Sequence, residues 1–269
     1  MKPIKKAQQV KAQWNFYFNK TKDASTAVNL ALIEIGPIKE KPNLARLTII
    51  MNNPEADGFS SDKESGIYVI IEAALVKQGK ANNNWIHVAR HTGSGKWINY
   101  FYCHDTDSFR DSVCNVMAGF PDYQYEFEFQ KDKNWSVYLN SLFPTEWQFR
   151  SMSNRDLVYM LHQHGIDLSQ DREVEHTILF KNKTGRKTFL KEAKKLGFIS
   201  KNNFFESSIK NNPYGLEISR VDKVDLVSVD TYVYQLFELA KQHHGFYDGW
   251  AAVVHKNEFK PVSDTDLIP

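Results

Sequence analysis

The stretch "LAKQHHGFYDGWAAVV", residues 239–254, joins a predicted helix to a predicted strand. Its paired histidines and Gly245 are typical of a helix C-terminus, where positive charge and a left-handed glycine are favoured. A tyrosine, an Asp-Gly pair and a tryptophan then open a short apolar strand. Period-two alternation would place Trp250 on the same face as Phe246, Ala252 and Val254. The stretch therefore predicts the strand that closes the last sheet of the chain.

The elements before this strand complete one domain. "EVEHTILF" reads as a strand that presents Val174, His176, Ile178 and Phe180 on one face. A helix starting at Thr184, a hairpin over 198–205 and 214–221, and a helix capped by Ser228 follow it. The resulting order, β-α-β-β-α-β, predicts a ferredoxin-like sandwich.

The first half reads as a mixed or antiparallel sheet with packed helices. Pro144 to Ser153 is the predicted boundary, with Ser153 as the cap of the helix that follows. We therefore expect an α+β protein of two domains, residues 1–147 and 148–269. In the first domain, strand periodicity at Trp14, Phe16 and Phe18 is continued by Val28, Leu30 and Leu32, and a central strand is expected at 47–51. A helix with a Ser61–Glu64 capping box is expected to bury Ile67, Ile70, Ile71, Ala74 and Leu75. The other expected elements are a hairpin through Thr92–Gly95, a helix from Thr106, an alternating strand at 123–129 and a short helix at 135–142.

Bulk composition excludes several classes of protein. The chain has 269 residues, 42% hydrophobic and 25% charged, with a net charge of +2. Because neither half is a polycation, nothing indicates bulk binding of DNA. Cys103 and Cys114 form no CxxC pair, the basic N-terminus has no apolar segment of a signal peptide, and no apolar run would span a membrane. These features predict a cytoplasmic protein without a disulfide framework.

The second half resembles a known family, the regulator of ribonuclease activity B (RraB), also called ribonuclease E inhibitor B. The similar pieces are "LHQHGIDLSQDREVEHTILF", "RKTFLKEAKKLGF" and "LAKQHHGFYDGWAAVV", within about residues 150–255. The first half is similar to an uncharacterised domain that often precedes it. The pieces that carry this second resemblance are "WNFYF", "PEADGFSSDKESGIYVIIEAAL", "HVARHTGSGKWINYFYC" and "YEFEFQKDKNWSVYLNSLFP".

The resemblance implies a bacterial protein whose C-terminal domain binds an endoribonuclease and modulates it without chemistry of its own. Better-known members are strongly acidic, which suits a basic target segment. Residues 146–269 of this chain instead hold 17 basic and 17 acidic side chains. The partner implied by the resemblance is therefore a protein, with an endoribonuclease as the first candidate.

The binding residues predicted from the sequence are Tyr247, Asp248, Trp250, Arg172 and His176. Tyrosine and tryptophan are typical interface anchors, although the same motif could simply pack the sheet edge onto the preceding helix. Arg172 and His176 would form a polar patch near Asp248 if their strands were neighbours. In the expected sheet, however, the first and last strands are not predicted to pair directly.

Other reactive-looking motifs have simpler explanations, so no catalytic residue, metal site or cofactor is predicted. His162 and His164, two apart on a helix, cannot easily share a metal. "HTGSGKW" lacks the first glycine of a phosphate loop and joins two strands. The Glu126/Glu128 pair fits a solvated sheet face, and Cys103 and His104 point to opposite faces of a strand.

The sequence therefore favours a non-enzymatic regulatory binding protein. One alternative is an enzyme or small-ligand-binding protein with a site in the first domain or between domains, to which Arg90, Arg110, Glu64 and Glu126 would contribute. A third is an RNA-binding protein, although "TILF" and "AAVVH" lack the aromatic residues that RNA-binding modules of this fold place on their central strands.

Overall fold

A computed structural model describes residues 11–254, apart from Lys20 and Lys22, together with Glu258. The chain divides into two units, Met1–Met152 and Ser153–Pro269. Each unit is built on an antiparallel sheet with packed helices, which confirms the predicted two-domain α+β class.

Six antiparallel strands form the sheet of the N-terminal unit, in the order β1-β2-β4-β5-β3-β6. The central strands are buried on both faces, as the apolar run at 47–51 predicts. The strands are β1 (Trp14–Phe18), β2 (Ala24–Asn29), β3 (Asn43–Ile50), β4 (Trp85–Gly93), β5 (Lys96–Cys103) and β6 (Tyr125–Lys131).

Helical segments pack on both faces of this sheet. On one face, α1 (Asp62–Asn82) and α2 (Thr106–Met117) bury an apolar cluster that includes Ile71 and Phe109. On the other face, a 3-10 helix (Leu30–Glu34) and a π-helical turn (Tyr138–Leu142) enclose a second cluster. The sheet is thus the middle layer of the unit.

The predicted positions of Leu30, Leu32 and Ile70 need correction. Leu30 and Leu32 belong to the 3-10 helix, because β2 ends at Asn29. Ile70 is exposed, since the buried stripe of α1 runs instead through Tyr68, Ile71 and Leu75.

The predicted capping box of α1 forms only in half. The Ser61 hydroxyl accepts a hydrogen bond from the Glu64 N–H, as expected of an N-cap residue. The Glu64 carboxylate does not return to Ser61 but accepts from the N–H groups of Asn52 and Asn53. Glu64 therefore fixes the loop after β3 rather than completing the box.

Helix α3 (Glu146–Gln163) contains the division between the units and begins earlier than predicted. Thr145 and Gln148 make the reciprocal hydrogen bonds of a capping box, with Thr145 Oγ1 accepting from the Gln148 N–H at 3.3 Å and Gln148 Oε1 accepting from the Thr145 N–H at 2.7 Å. Ser153 therefore lies inside the helix and does not cap it.

The C-terminal unit follows the predicted order β-α-β-β-α-β. Its antiparallel sheet has the order β10-β7-β9-β8, so the first and last strands, β7 and β10, do pair directly, and the opposite expectation was wrong. Asp225, not Ser228, caps the second helix by accepting from the N–H groups of Val227 and Ser228. These elements support the ferredoxin-like prediction. They are β7 (Arg172–Phe180), α4 (Lys183–Lys195), β8 (Ile199–Phe205), β9 (Tyr214–Asp222), α5 (Leu226–Gln242) and β10 (Gly245–Ala252).

Candidate functional site: two faces of the C-terminal sheet

The face of the C-terminal sheet that carries His176 is covered by helices. The ring of Tyr232, on α5, lies 5.4 Å from the ring of His176, and Phe189, on α4, lies 5.3 Å from Phe180. His176 and Phe180 belong to the buried stripe of β7, as the sequence predicts. We call this side of the sheet the helix face.

His176 and Tyr247 form a buried polar pair on the helix face. The Tyr247 hydroxyl lies 2.8 Å from His176 Nδ1, and both side chains are almost fully buried. Burial and the nearby Arg220 guanidinium lower the pKa of His176 to about 3, so its imidazole is neutral at pH 7. The Tyr247 hydroxyl and Nδ1 therefore share a hydrogen bond between neutral groups, and the pair joins the last strand to the first.

Trp250 also turns toward the helix face. A β-bulge between Tyr247 and Gly249 shifts the register, so that Trp250 pairs with His176. Its indole Nε1–H donates to Asn154 Oδ1 of α3 at 2.9 Å, and the Asn154 amide donates to Asp230 of α5 at 2.8 Å.

The same bulge corrects the predicted face of Trp250. One extra residue, Asp248, moves Trp250 to the side of Tyr247 and away from that of Phe246, which pairs with Leu179 on the opposite face.

Of the two remaining predicted binding residues, Arg172 has a largely buried side chain and Asp248 is exposed. The Arg172 guanidinium forms an ion pair of 2.8 Å with Glu258 and donates to the backbone oxygen of Asp167. Asp248 is exposed at the bulge. The pairing of β7 with β10 thus brings His176, Tyr247 and Trp250 together, mostly through internal contacts.

The opposite face of the sheet carries a group of charged side chains. Glu173 and Glu175 alternate with the buried stripe of β7, and Lys201 Nζ lies 2.8 Å from Glu173 and 4.0 Å from Glu175. Hydrogen bonds from Lys201 and from the Ser219 hydroxyl lower the pKa of Glu173, which is therefore ionised at neutral pH. Glu217, opposite Thr177 in the register, adds a third carboxylate. Three carboxylates against one ammonium give this group a formal net charge of −2.

Apolar side chains lie on the same face. Ile199 pairs with Ser219 and Val221 pairs with Glu173, and the two apolar side chains are 58% and 63% exposed. Phe204 extends over Gly215, where an added Cβ would collide with the phenyl ring. We call this mixed acidic and apolar surface the open face. Its residues are Glu173, Glu175, Leu179, Ile199, Lys201, Phe204, Glu217, Ser219, Val221 and Phe246.

The open face was not predicted from the sequence, although part of the signal for it was present. Glu173 and Glu175 alternate with Val174 and His176 in "EVEHTILF", which marks the polar side of the strand. Lys201 could not be assigned to it, because the β-bulge between Ser200 and Asn202 changes the alternation of β8.

Three of the four residues suggested for an alternative site in the first domain have a local contact. Arg90 pairs with Glu72 at 2.6 Å, Arg110 lies over the ring of Phe129, and Glu64 accepts from backbone N–H groups. Glu126 is exposed on β6. Within the described residues, no hydrogen bond or ion pair joins any two of these four side chains.

The buried thiol of Cys103 is poorly suited to nucleophilic chemistry. Burial raises the pKa of Cys103 to about 11, so the group is a thiol at neutral pH. Its neighbour His104 is directed to the backbone oxygen of Glu40, at 2.9 Å from Nδ1.

Glu128, the second carboxylate of the Glu126/Glu128 pair on β6, forms an ion pair of 2.9 Å with Arg46.

The described residues contain neither a metal-type cluster nor a helix that could span a membrane. No three His, Cys, Asp or Glu side chains in residues 11–254 (less 20 and 22) or Glu258 are grouped to hold an ion. None of the helices in that part of the chain combines the length and apolar character needed to cross a bilayer.

Comparison with known families matches each unit separately. Residues 12–143 match the model of a family of unknown function (DUF695), and residues 151–251 match the model of the regulator of ribonuclease activity B (RraB) family. Both resemblances predicted from the sequence are confirmed.

No curated protein is similar enough to the chain to count as a match. The crystal structure of an unknown protein from Galdieria sulphuraria is similar over 79% of this chain and 99% of that chain, at 8% identity. Its TM-score of 0.23 is too low to support an inference about fold.

Proposed function

We propose, from the match of residues 151–251 to a family of ribonuclease regulators, that the C-terminal unit binds an endoribonuclease and modulates it by contact. The open face is the proposed contact surface. The observation that carries this assignment is the combination of exposed Ile199 and Val221 with the carboxylates of Glu173 and Glu175 on one side of the sheet.

The chemistry of the open face suits a protein partner with basic and apolar groups. Exposed apolar side chains supply the area whose burial drives association, and the surrounding carboxylates select for Lys or Arg on the partner. The same negative charge opposes the phosphate backbone of RNA, which disfavours direct RNA binding by this face. Although the charges of the C-terminal half balance overall, the open face is locally acidic.

Binding of the C-terminal unit would by itself modulate the nuclease. A domain that covers a basic substrate-binding or scaffold segment of the nuclease would exclude RNA from it without forming or breaking any bond. This mechanism requires no catalytic residue in the C-terminal unit. A cytoplasmic location is part of the proposal, because the enzyme's RNA substrates are found there.

The roles predicted for Tyr247, Asp248, Trp250, Arg172 and His176 remain proposals. The contacts of His176, Tyr247 and Trp250 favour a positioning role, in which they hold β10 against β7 and α3. Asp248, exposed at the bulge, is the one of the five that we retain as a candidate contact residue.

Calorimetric titration of the full chain against the purified endoribonuclease of the same cell tests the proposal. Glu175→Lys and Val221→Asp should each weaken binding at least tenfold if the open face is the contact surface. Glu238→Lys, on α5, is the matched charge-reversal control and should bind as the unmodified chain does. Absence of binding, or equal affinity for all four proteins, would refute the assignment.

A further inference from the structure

A cavity of about 630 Å³ opens in the N-terminal unit, beside the C-terminal end of α1. Its lining comes from the start of β1, the end of β2, the 3-10 helix with the loop after it, and the start of β4. Small-molecule sites in proteins typically have volumes of about 300–1,000 Å³. The cavity is therefore large enough for a ligand of one or two rings.

Apolar side chains form most of the wall. Trp85 is fixed in place, because its indole Nε1–H donates to the backbone oxygen of Leu75 and its ring packs on Gly79. A Cβ at Gly79 would lie 2.5 Å from that indole nitrogen, so the close packing requires glycine. The large apolar lining residues are Trp14, Leu32, Ile38, Val76, Trp85 and Ile86.

All formal charges that line the cavity are positive. Lys11, Lys41 and Lys80 contribute ammonium groups, and none of the described lining residues is Asp or Glu. In a chain with 34 basic and 32 acidic side chains, this local excess is not explained by composition. Three positive charges beside an apolar wall favour an anion with an apolar body.

Lys41 is the buried member of the three. It is 7% exposed, and its Nζ donates to the backbone oxygen of Asn83 at 2.5 Å. An ammonium group has three donors, and no described carboxylate forms an ion pair with Lys41. Burial lowers the pKa of Lys41, as expected of an ammonium group removed from water. An anion in the cavity would offset part of that desolvation cost.

We propose that this cavity is a binding site for a small amphipathic organic anion, with the apolar body against Trp14, Trp85 and Ile86 and the anionic group near Lys41 and Lys80. The site assigns a ligand-binding function to the N-terminal unit. It is independent of the ribonuclease contact proposed for the C-terminal unit.

Fluorescence titration of the full chain with 1-anilinonaphthalene-8-sulfonate tests the site. N-phenyl-1-naphthylamine has the same aromatic body without the sulfonate and serves as the neutral probe. We expect the anionic probe to bind at one site per chain and at least tenfold more tightly than the neutral probe. Val76→Phe should abolish binding of both probes, because the larger side chain fills the cavity.

Charge removal separates the anion site from general apolar adsorption. Lys80→Met should lower the affinity for the anionic probe by about fivefold, the scale of an exposed charge pair. It should leave the affinity for the neutral probe unchanged. Lys41→Met should lower the affinity for the anionic probe more strongly. Because this substitution also removes the hydrogen bond to the Asn83 backbone oxygen, the unfolding midpoint of the variant is measured as well. Lys63→Met, about 25 Å from Lys80 along α1, is the matched control.

The proposal would be overturned by failure of the anionic probe to bind or by equal affinity for the two probes. A loss of anion binding in Lys63→Met as large as that in Lys80→Met would also overturn it. Binding that survives Val76→Phe would likewise place the probe elsewhere on the protein.

Discussion

The hydroxyl of Tyr247 lies 2.8 Å from Nδ1 of His176, within the buried layer of the C-terminal unit. The pair joins the two strands that are furthest apart in the sequence of this unit, β7 and β10. Two residues predicted to bind a partner are thereby hydrogen-bonded to each other. His176 and Tyr247 therefore hold the sheet together, whereas the residues of the open face present a surface.

Tyr247→Phe should destabilise the protein while leaving partner binding intact. The substitution removes the hydroxyl that is hydrogen-bonded to His176 Nδ1, and an unsatisfied buried polar group costs about 1–3 kcal/mol. Urea unfolding monitored by circular dichroism measures this change. Unaltered stability would show that the pair contributes nothing to the fold, and a specific loss of binding would restore Tyr247 to the contact surface.

Trp250→Phe tests the hydrogen bond between β10 and α3. Loss of the donation from Nε1 to Asn154 should lower the free energy of unfolding by about 1 kcal/mol. A double-mutant cycle with Asn154→Ala measures the coupling directly. If Trp250→Phe instead weakens binding to the nuclease without lowering stability, the sequence-based prediction of an interface anchor is the better account.

Stability should decrease on acidification because two histidines are buried in the neutral form. Burial lowers the pKa of His176 to about 3 and that of His87 to about 4, from about 6.5 in an unfolded chain. Between these values the unfolded state binds more protons than the folded state, so the unfolding free energy falls as the pH drops below 6.5. Each histidine contributes a slope of up to about 1.4 kcal/mol per pH unit.

Urea titrations between pH 7 and pH 4.5 measure that slope. His176→Phe should reduce the slope, whereas replacement of the exposed His162 by Gln should not. An unchanged slope in His176→Phe would mean that His176 is protonated in the folded protein or that its pKa is unperturbed.

Gly215→Ala should alter the open face from within the sheet. A Cβ at residue 215 collides with the ring of Phe204, which must leave its position over the glycine. We expect a loss of about 1–3 kcal/mol, the usual cost of overpacking. Chemical denaturation of Gly215→Ala, with Gly249→Ala as the control, measures it, since nothing lies within 4 Å of a Cβ at residue 249. Equal stability of the two variants would contradict the close packing of Phe204.

The sequence predicted most of the helices and strands but not how the strands pair or which face each side chain occupies. Alternation in "EVEHTILF" identified the buried stripe of β7, because a period of two survives wherever one face of a strand is covered. Pairing between β7 and β10 depends on the three-dimensional order of the strands, and the expectation about it was wrong. The face of Trp250 depends on a single bulged residue, which alternation alone does not reveal. The cap at Thr145 has a sequence signature, T-x-x-Q, although Ser153 was the predicted cap.

The candidate site was predictable only in part, for the same reason. The family resemblance gave the class of partner, and the tyrosine and tryptophan of the closing strand suggested an interface. Their actual environment depends on which helices cover the sheet. Lys201 reaches the carboxylates of β7 across an intervening strand, and no local pattern in the sequence records that contact.

The central claim is that the open face of the C-terminal unit contacts and restrains an endoribonuclease. The most direct test is the initial rate of RNA cleavage by the purified enzyme, titrated with the full chain or with Val221→Asp. The account predicts that the unmodified chain lowers the rate in a saturable manner and that Val221→Asp, folded and equally stable, does not. Equal inhibition by both proteins, or no change in rate with either, would contradict it.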